Sequence, residues 1–135
     1  MKPQRVLVFI VLLLLLSCKK SGPPDIKIKW PEALLEGTDA AVFMVILNDG
    51  SGEDRLKGCT VKGIPEVICE LHGIVDGRMR MIRDIEIPSK GTVELKPGDR
   101  HLMLIGAKDR LGETVTIVLD FERFGPVEIK ARVAR

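Results

Sequence analysis

From residue 26 onward the chain reads as short runs, alternating or wholly apolar, separated by turn residues, and no window repeats at the helical period of 3.6. "TVTIVLDF" is the clearest run. Val115, Ile117, Leu119 and Phe121 fall on one face of a strand and Asp120 on the other. The pattern predicts strands near residues 26–30, 40–48, 56–61, 66–75, 78–87, 92–95, 101–106, 114–122 and 126–133. The breaks between them, among them "NDGSGED", "VDG", "IPSKG", "KPGD" and "RFGP", hold the residues that turns favour. Eight or nine short strands at this spacing predict an all-β fold, an antiparallel β-sandwich, in one domain over residues 26–135. Aromatic residues make up only 4% of the chain and tyrosine is absent, so its core must be aliphatic.

The same alternation sorts chemistry from core. In "EVICELHGIV" the face with Val67, Cys69 and Leu71 turns inward, which leaves Glu70 and His72 outward. In "HLMLI" Leu102 and Leu104 turn inward, leaving His101 and Met103 outward. "GRMRMIRD" sets Met79 and Met81 on one face of the strand after the "VDG" turn, beside the strand of His72. Met44, inside "AAVFMVIL", reads as core filling. The chain's two histidines thus share outward faces with methionines. Imidazole and thioether are neutral, soft donors that suit Cu(I), whereas Mg²⁺ and Ca²⁺ want oxygen and structural zinc usually takes cysteine. A blue-copper centre would need a thiolate, and Cys69 has the inward parity. No serine lies near either histidine in a nucleophile motif, and no glycine-rich phosphate loop opens a helix. Asp84, Glu86, Glu94 and Glu113 are scattered among basic residues as on an ordinary solvated surface, so the expectation is a protein that is not an enzyme.

The N-terminus breaks the pattern. In "MKPQRVLVFIVLLLLLSCKK", Lys2 and Arg5 precede an apolar run from Val6 to Leu16. That run is about half of the ~20 residues that span a bilayer, which predicts a signal peptide over residues 1–17 and an exported product. "LLSC" resembles the lipobox of bacterial lipoproteins, making Cys18 the lipidated first residue of the mature chain. Residues 18–25, ending "KKSGPPD", then form a lipid-anchored flexible tether. The expected location is the periplasmic side of a membrane. Loss of Lys2 and Arg5 with the leader cancels the excess of 21 basic over 19 acidic side chains, and no nucleic-acid partner is expected. Cys59 and Cys69 remain, either as a disulfide stapling neighbouring strands or as two buried thiols.

The segments "AAVFMVILNDG", "DRLKG", "CELHG", "DGRMRMIRDIEIPSKGTVELKPGDRHLMLIGAK" and "ETVTIVLDFERFGPVEI" resemble the PCu(A)C family of periplasmic copper chaperones. The resemblance runs from Trp30 to Val133 and is most specific from Ile87 to Gly106. It implies a cupredoxin-like, Greek-key β-sandwich binding one Cu(I) at an exposed site. The family's histidine and methionine ligands fall on His72, Met81, His101 and Met103. It also implies a partner that accepts the copper, such as a subunit of cytochrome c oxidase with its binuclear copper centre. Eight residues separate His72 from Met81, about two fewer than in the family; a change of two keeps strand parity but leaves Met79 as a possible substitute for Met81. Two other readings stay open: a membrane-tethered interaction lipoprotein without metal, and a copper buffer with no dedicated acceptor.

Overall fold

A computed structural model describes residues 22–135. The expected signal peptide and the expected lipidation site at Cys18 lie outside the described residues. Ten strands follow one another: β1 (Ile26–Glu36), β2 (Asp39–Asn48), β3 (Asp54–Val61), β4 (Ile68–Val75), β5 (Arg78–Met81), β6 (Ile85–Ile87), β7 (Gly91–Leu95), β8 (His101–Ile105), β9 (Thr114–Phe121) and β10 (Gly125–Ala134). They pair in the order β5-β4-β8-β2-β1-β10-β9-β3-β6, with β7 also on β2. Among the described residues no helix is long and apolar enough to cross a membrane.

The continuous sheet curls over on itself, and the inward faces of its two halves meet in the core predicted by the alternation. Leu56, Leu102, Leu104, Ile117 and Leu119 are fully enclosed, with Met44 among them. Each such side chain contributes about 1.5–3 kcal/mol by leaving water. Cys59 of β3 and Cys69 of β4 are joined by a disulfide with their Cα atoms 5.5 Å apart. Because β3 and β4 are not paired in the sheet, the bond ties its two halves together across the interior.

Two predicted boundaries fail for physical reasons. The run 78–87, expected as one strand, is two strands at opposite ends of the sheet order: β5 pairs with β4, and β6 pairs with β3. Only Ile82, Arg83 and Asp84 separate the two runs, too few to announce a crossing in the sequence. Burial does not: Arg78 to Met81 are all exposed, while Ile85 and Ile87 are buried. Arg55 on β3 holds β6 in place through Glu86 (2.8 Å) and Asp84 (3.4 Å); Glu86, then Asp84, raise its guanidinium pKa. In turn β1, expected to stop at Trp30, runs on to Glu36. A bulge between Lys29 and Glu32 absorbs Trp30, at φ 53°, and Pro31.

The stretch expected as tether is described from Gly22, and there it is fastened. Pro23 accepts a hydrogen bond from the Gly52 amide, Asp25 exchanges bonds with Asn48 and Asp49, and Arg123 donates to the Gly22 carbonyl. A Cβ at Gly50 or Gly52 would overlap this segment's carbonyls, which explains both glycines of "NDGSGED". Residues 22–25 are therefore part of the folded body.

Candidate metal centre

β4 lies between β5 and β8, and its registers assemble the candidate donors. His72 stands directly opposite Met81 of β5 on one side and opposite His101 of β8 on the other. Directly opposed residues of antiparallel strands project to the same face. Met81, His72 and His101 thus form a row across three strands, on the face away from the core. One step along, Met103 stands opposite Glu70 of β4 and Ala41 of β2. Met79 stands opposite Ile74, two residues farther from His101.

The row is graded from open to closed. Met81 is 65% exposed, the His72 side chain 17%, and His101 only 6%. The exposed site expected from the sequence is therefore open at its methionine end alone. Parity correctly sets His101 on the outer face, but the Phe43 ring of β2 lies against it, with centroids 5.9 Å apart.

Each imidazole is held by one nitrogen. His101 Nδ1 donates to the Asp99 carbonyl at 2.8 Å; a carbonyl only accepts, so the proton sits on Nδ1 and Nε2 carries the lone pair. Among the described residues no fully buried side-chain nitrogen or oxygen lacks a partner, so this partnerless Nε2 keeps contact with the exterior. His72 Nε2 lies 3.1 Å from Glu70 Oε1, and donation to the carboxylate leaves Nδ1 as that ring's lone-pair nitrogen. A metal about 2 Å from one nitrogen of each ring spans centroids up to roughly 6.4 Å apart. The two centroids are 5.9 Å apart, within that reach. Among the described residues no three His, Cys, Asp or Glu side chains are grouped to hold a metal ion. The donors gathered here are imidazoles and thioethers, a set that favours a soft monovalent ion.

A family model described as "Putative lipoprotein LpqE-like" matches residues 25–133. The chain belongs to the LpqE-like family. Its fold is that of PCuAC domains. It is similar to the copper-bound PCuAC domain from PmoF2, at 27% identity and a TM-score of 0.65 over 80% of this chain and 91% of that one. The apo form of that domain matches at 28% and 0.64 over 80% and 88%. The apo PCuAC domain from PmoF1 matches at 25% and 0.66 over 81% and 92%. No curated protein matches significantly.

In this LpqE-like chain, two residues beside the row escaped sequence reasoning. Glu70 has the outward parity, and its i, i+2 spacing from His72 on one strand is the available signal for their contact. Phe43 gave none, since its neighbourhood depends on β2 and β8 pairing across 58 residues of chain.

Proposed function

We propose that this LpqE-like protein is a Cu(I) carrier, not an enzyme, that binds one copper through His72, Met81, His101 and Met103. The observation that carries the reading is the row Met81–His72–His101 with Met103 beside it, on one face and closed at one end only. The copper in the PmoF2 domain supports the choice of metal. The register favours Met81 over Met79, because only Met81 is directly opposite a histidine.

The gradient of exposure suggests the order of transfer. His101, buried under Phe43 and held by Asp99, is the fixed ligand; Met81 is the one an acceptor can displace first. All four donors are neutral, so copper is retained without a charged thiolate cage and leaves by stepwise exchange. In this reading Cys18 carries a lipid that anchors the protein on the periplasmic side, and the acceptor is a protein such as a cytochrome c oxidase subunit.

The test is a competition titration of Cu(I) under reducing conditions, comparing the parent with a His101→Ala, Met103→Leu double variant, with X-ray absorption of the loaded parent. Expected are copper retention by the parent alone and a mixed nitrogen and sulfur shell. Equal, negligible retention by both proteins overturns the carrier. Deleting the gene and assaying oxidase activity across copper levels separates delivery from buffering.

A further inference from the structure

β5 is a terminal strand of the sheet, and among the described residues no strand pairs with its outer edge. Which backbone groups face that edge follows from one hydrogen bond. The Ile82 amide donates to the Leu71 carbonyl at 2.8 Å, so Ile82 and Leu71 are a hydrogen-bonded pair. In an antiparallel ladder such pairs alternate with non-bonded ones. Arg80 with Gly73 and Arg78 with Val75 are then the next bonded pairs. The N–H and C=O groups of Met79 and Met81 point the other way, to the open edge.

The two faces of this edge differ in chemistry. One carries Met79 and Met81, continuing into His72 and Ile74. The other carries Arg78 and Arg80, both exposed, and neither forms an ion pair among the described residues. A strand added to β5 would hydrogen-bond to Met79 and Met81. Its residue opposite Met81 would project into the row Met81–His72–His101, and the residues between would meet the arginines.

We propose that the β5 edge is the docking site for an extended segment of a partner protein, in which soft donors, Met or His, alternate with Asp or Glu. The alternation follows from the pleat, and the acidic positions from the unpaired arginines. A second copy of this chain does not fit, because pairing two β5 edges sets Arg78 and Arg80 against their own kind. The inference deepens the carrier reading by giving the acceptor a way in: one added strand places a fresh ligand in line with the copper row.

The experiment needs no copper, so its failure and the failure of the carrier reading are distinguishable. The full chain in detergent micelles is mixed with the peptide Ac-Glu-Met-Glu-Met-Glu-Met-NH2 or with its counterpart in which lysine replaces each glutamate. Amide exchange is followed by NMR. At saturation with the acidic peptide, the Met79 and Met81 amides should exchange at least about tenfold more slowly. The lysine peptide should bind at least about fivefold more weakly, and an Arg78→Glu, Arg80→Glu variant should reverse that order. Unchanged exchange at Met79 and Met81, or equal affinity of the unmodified chain for the two peptides, overturns the proposal.

Discussion

The two ends of β2 show two uses of a buried polar side chain. At its C-terminal end Asn48 is enclosed, and so is Asp54, the first residue of β3, just past the loop that follows. At the other end, about 24 Å away along seven residues of strand, Ala41 faces Met103 and His101 is buried. Asn48 Oδ1 accepts from the Asp25 and Gly50 amides, and Nδ2 donates to the Gly52 carbonyl. Asp54 accepts from the amides of Arg55, Arg123 and Phe124. Both side chains are spent on fastening backbone. Among the described residues the His101 side chain makes one bond, and its other nitrogen has no partner. A saturated polar group stabilises the fold, and one left half-used is available to a ligand.

If that contrast is right, the largest loss of stability comes from the saturated end. Asp54→Ala leaves three backbone amides without their carboxylate and should cost about 3–5 kcal/mol. Chemical denaturation measures the loss, and the protein still folded at low temperature should bind Cu(I) with unchanged affinity. A parallel loss of copper binding would mean that the two ends are not independent. Next comes the disulfide. Converting Cys59 and Cys69 to alanine should lower stability by about 2–3 kcal/mol, as expected for a short loop, again without altering the copper affinity of the folded protein. The alanines remove this disulfide, so the same denaturation assay under reducing conditions should leave the variant unchanged and shift only the parent.

How far the sequence anticipated this contrast depends on what each position needed. The split of "HLMLI" into Leu102 and Leu104 against His101 and Met103 is a matter of parity, and parity is local. The core face of "TVTIVLDF" was legible for the same reason. "NDGSGED" reads only as a turn, because the partners that tie Asn48 and Asp54 to the rest of the fold, Asp25, Arg123 and Phe124, lie 23 to 70 residues away. The burial of His101 was hidden likewise: alternation says which face a side chain takes, and tertiary packing says what covers it. The crossing at Ile82 to Asp84 is hidden because three residues are a short link and the change of partner is set by tertiary pairing.

At the open end the expected effects move binding and leave the fold alone. Glu70→Gln keeps the size of the side chain but weakens its hold on His72 Nε2. Loss of an outer partner of a ligating histidine typically costs about 10-fold or more in metal affinity. A stability change within about 0.5 kcal/mol is expected, since Glu70 sits outside the core. A drop in stability without a drop in Cu(I) affinity would place Glu70 with Asn48 and Asp54 instead.

The finest test is between two methionines two residues apart. Met79 and Met81 share a strand, a face and exposure to solvent, so composition and hydrophobicity do not separate them; register does. Met81 faces His72 and Met79 faces Ile74. Met81→Leu should therefore lower Cu(I) affinity by about tenfold, the scale of one weak ligand at about 1.4 kcal/mol, and reduce the sulfur count in X-ray absorption. Met79→Leu should do neither. Both substitutions conserve volume and lie on an exposed edge, so melting temperatures should match the parent's. Equal losses in the two variants would mean that the short β4–β5 hairpin shifts on loading so that either thioether can close the site, and the order of ligand release proposed above would have to be redrawn around a mobile edge.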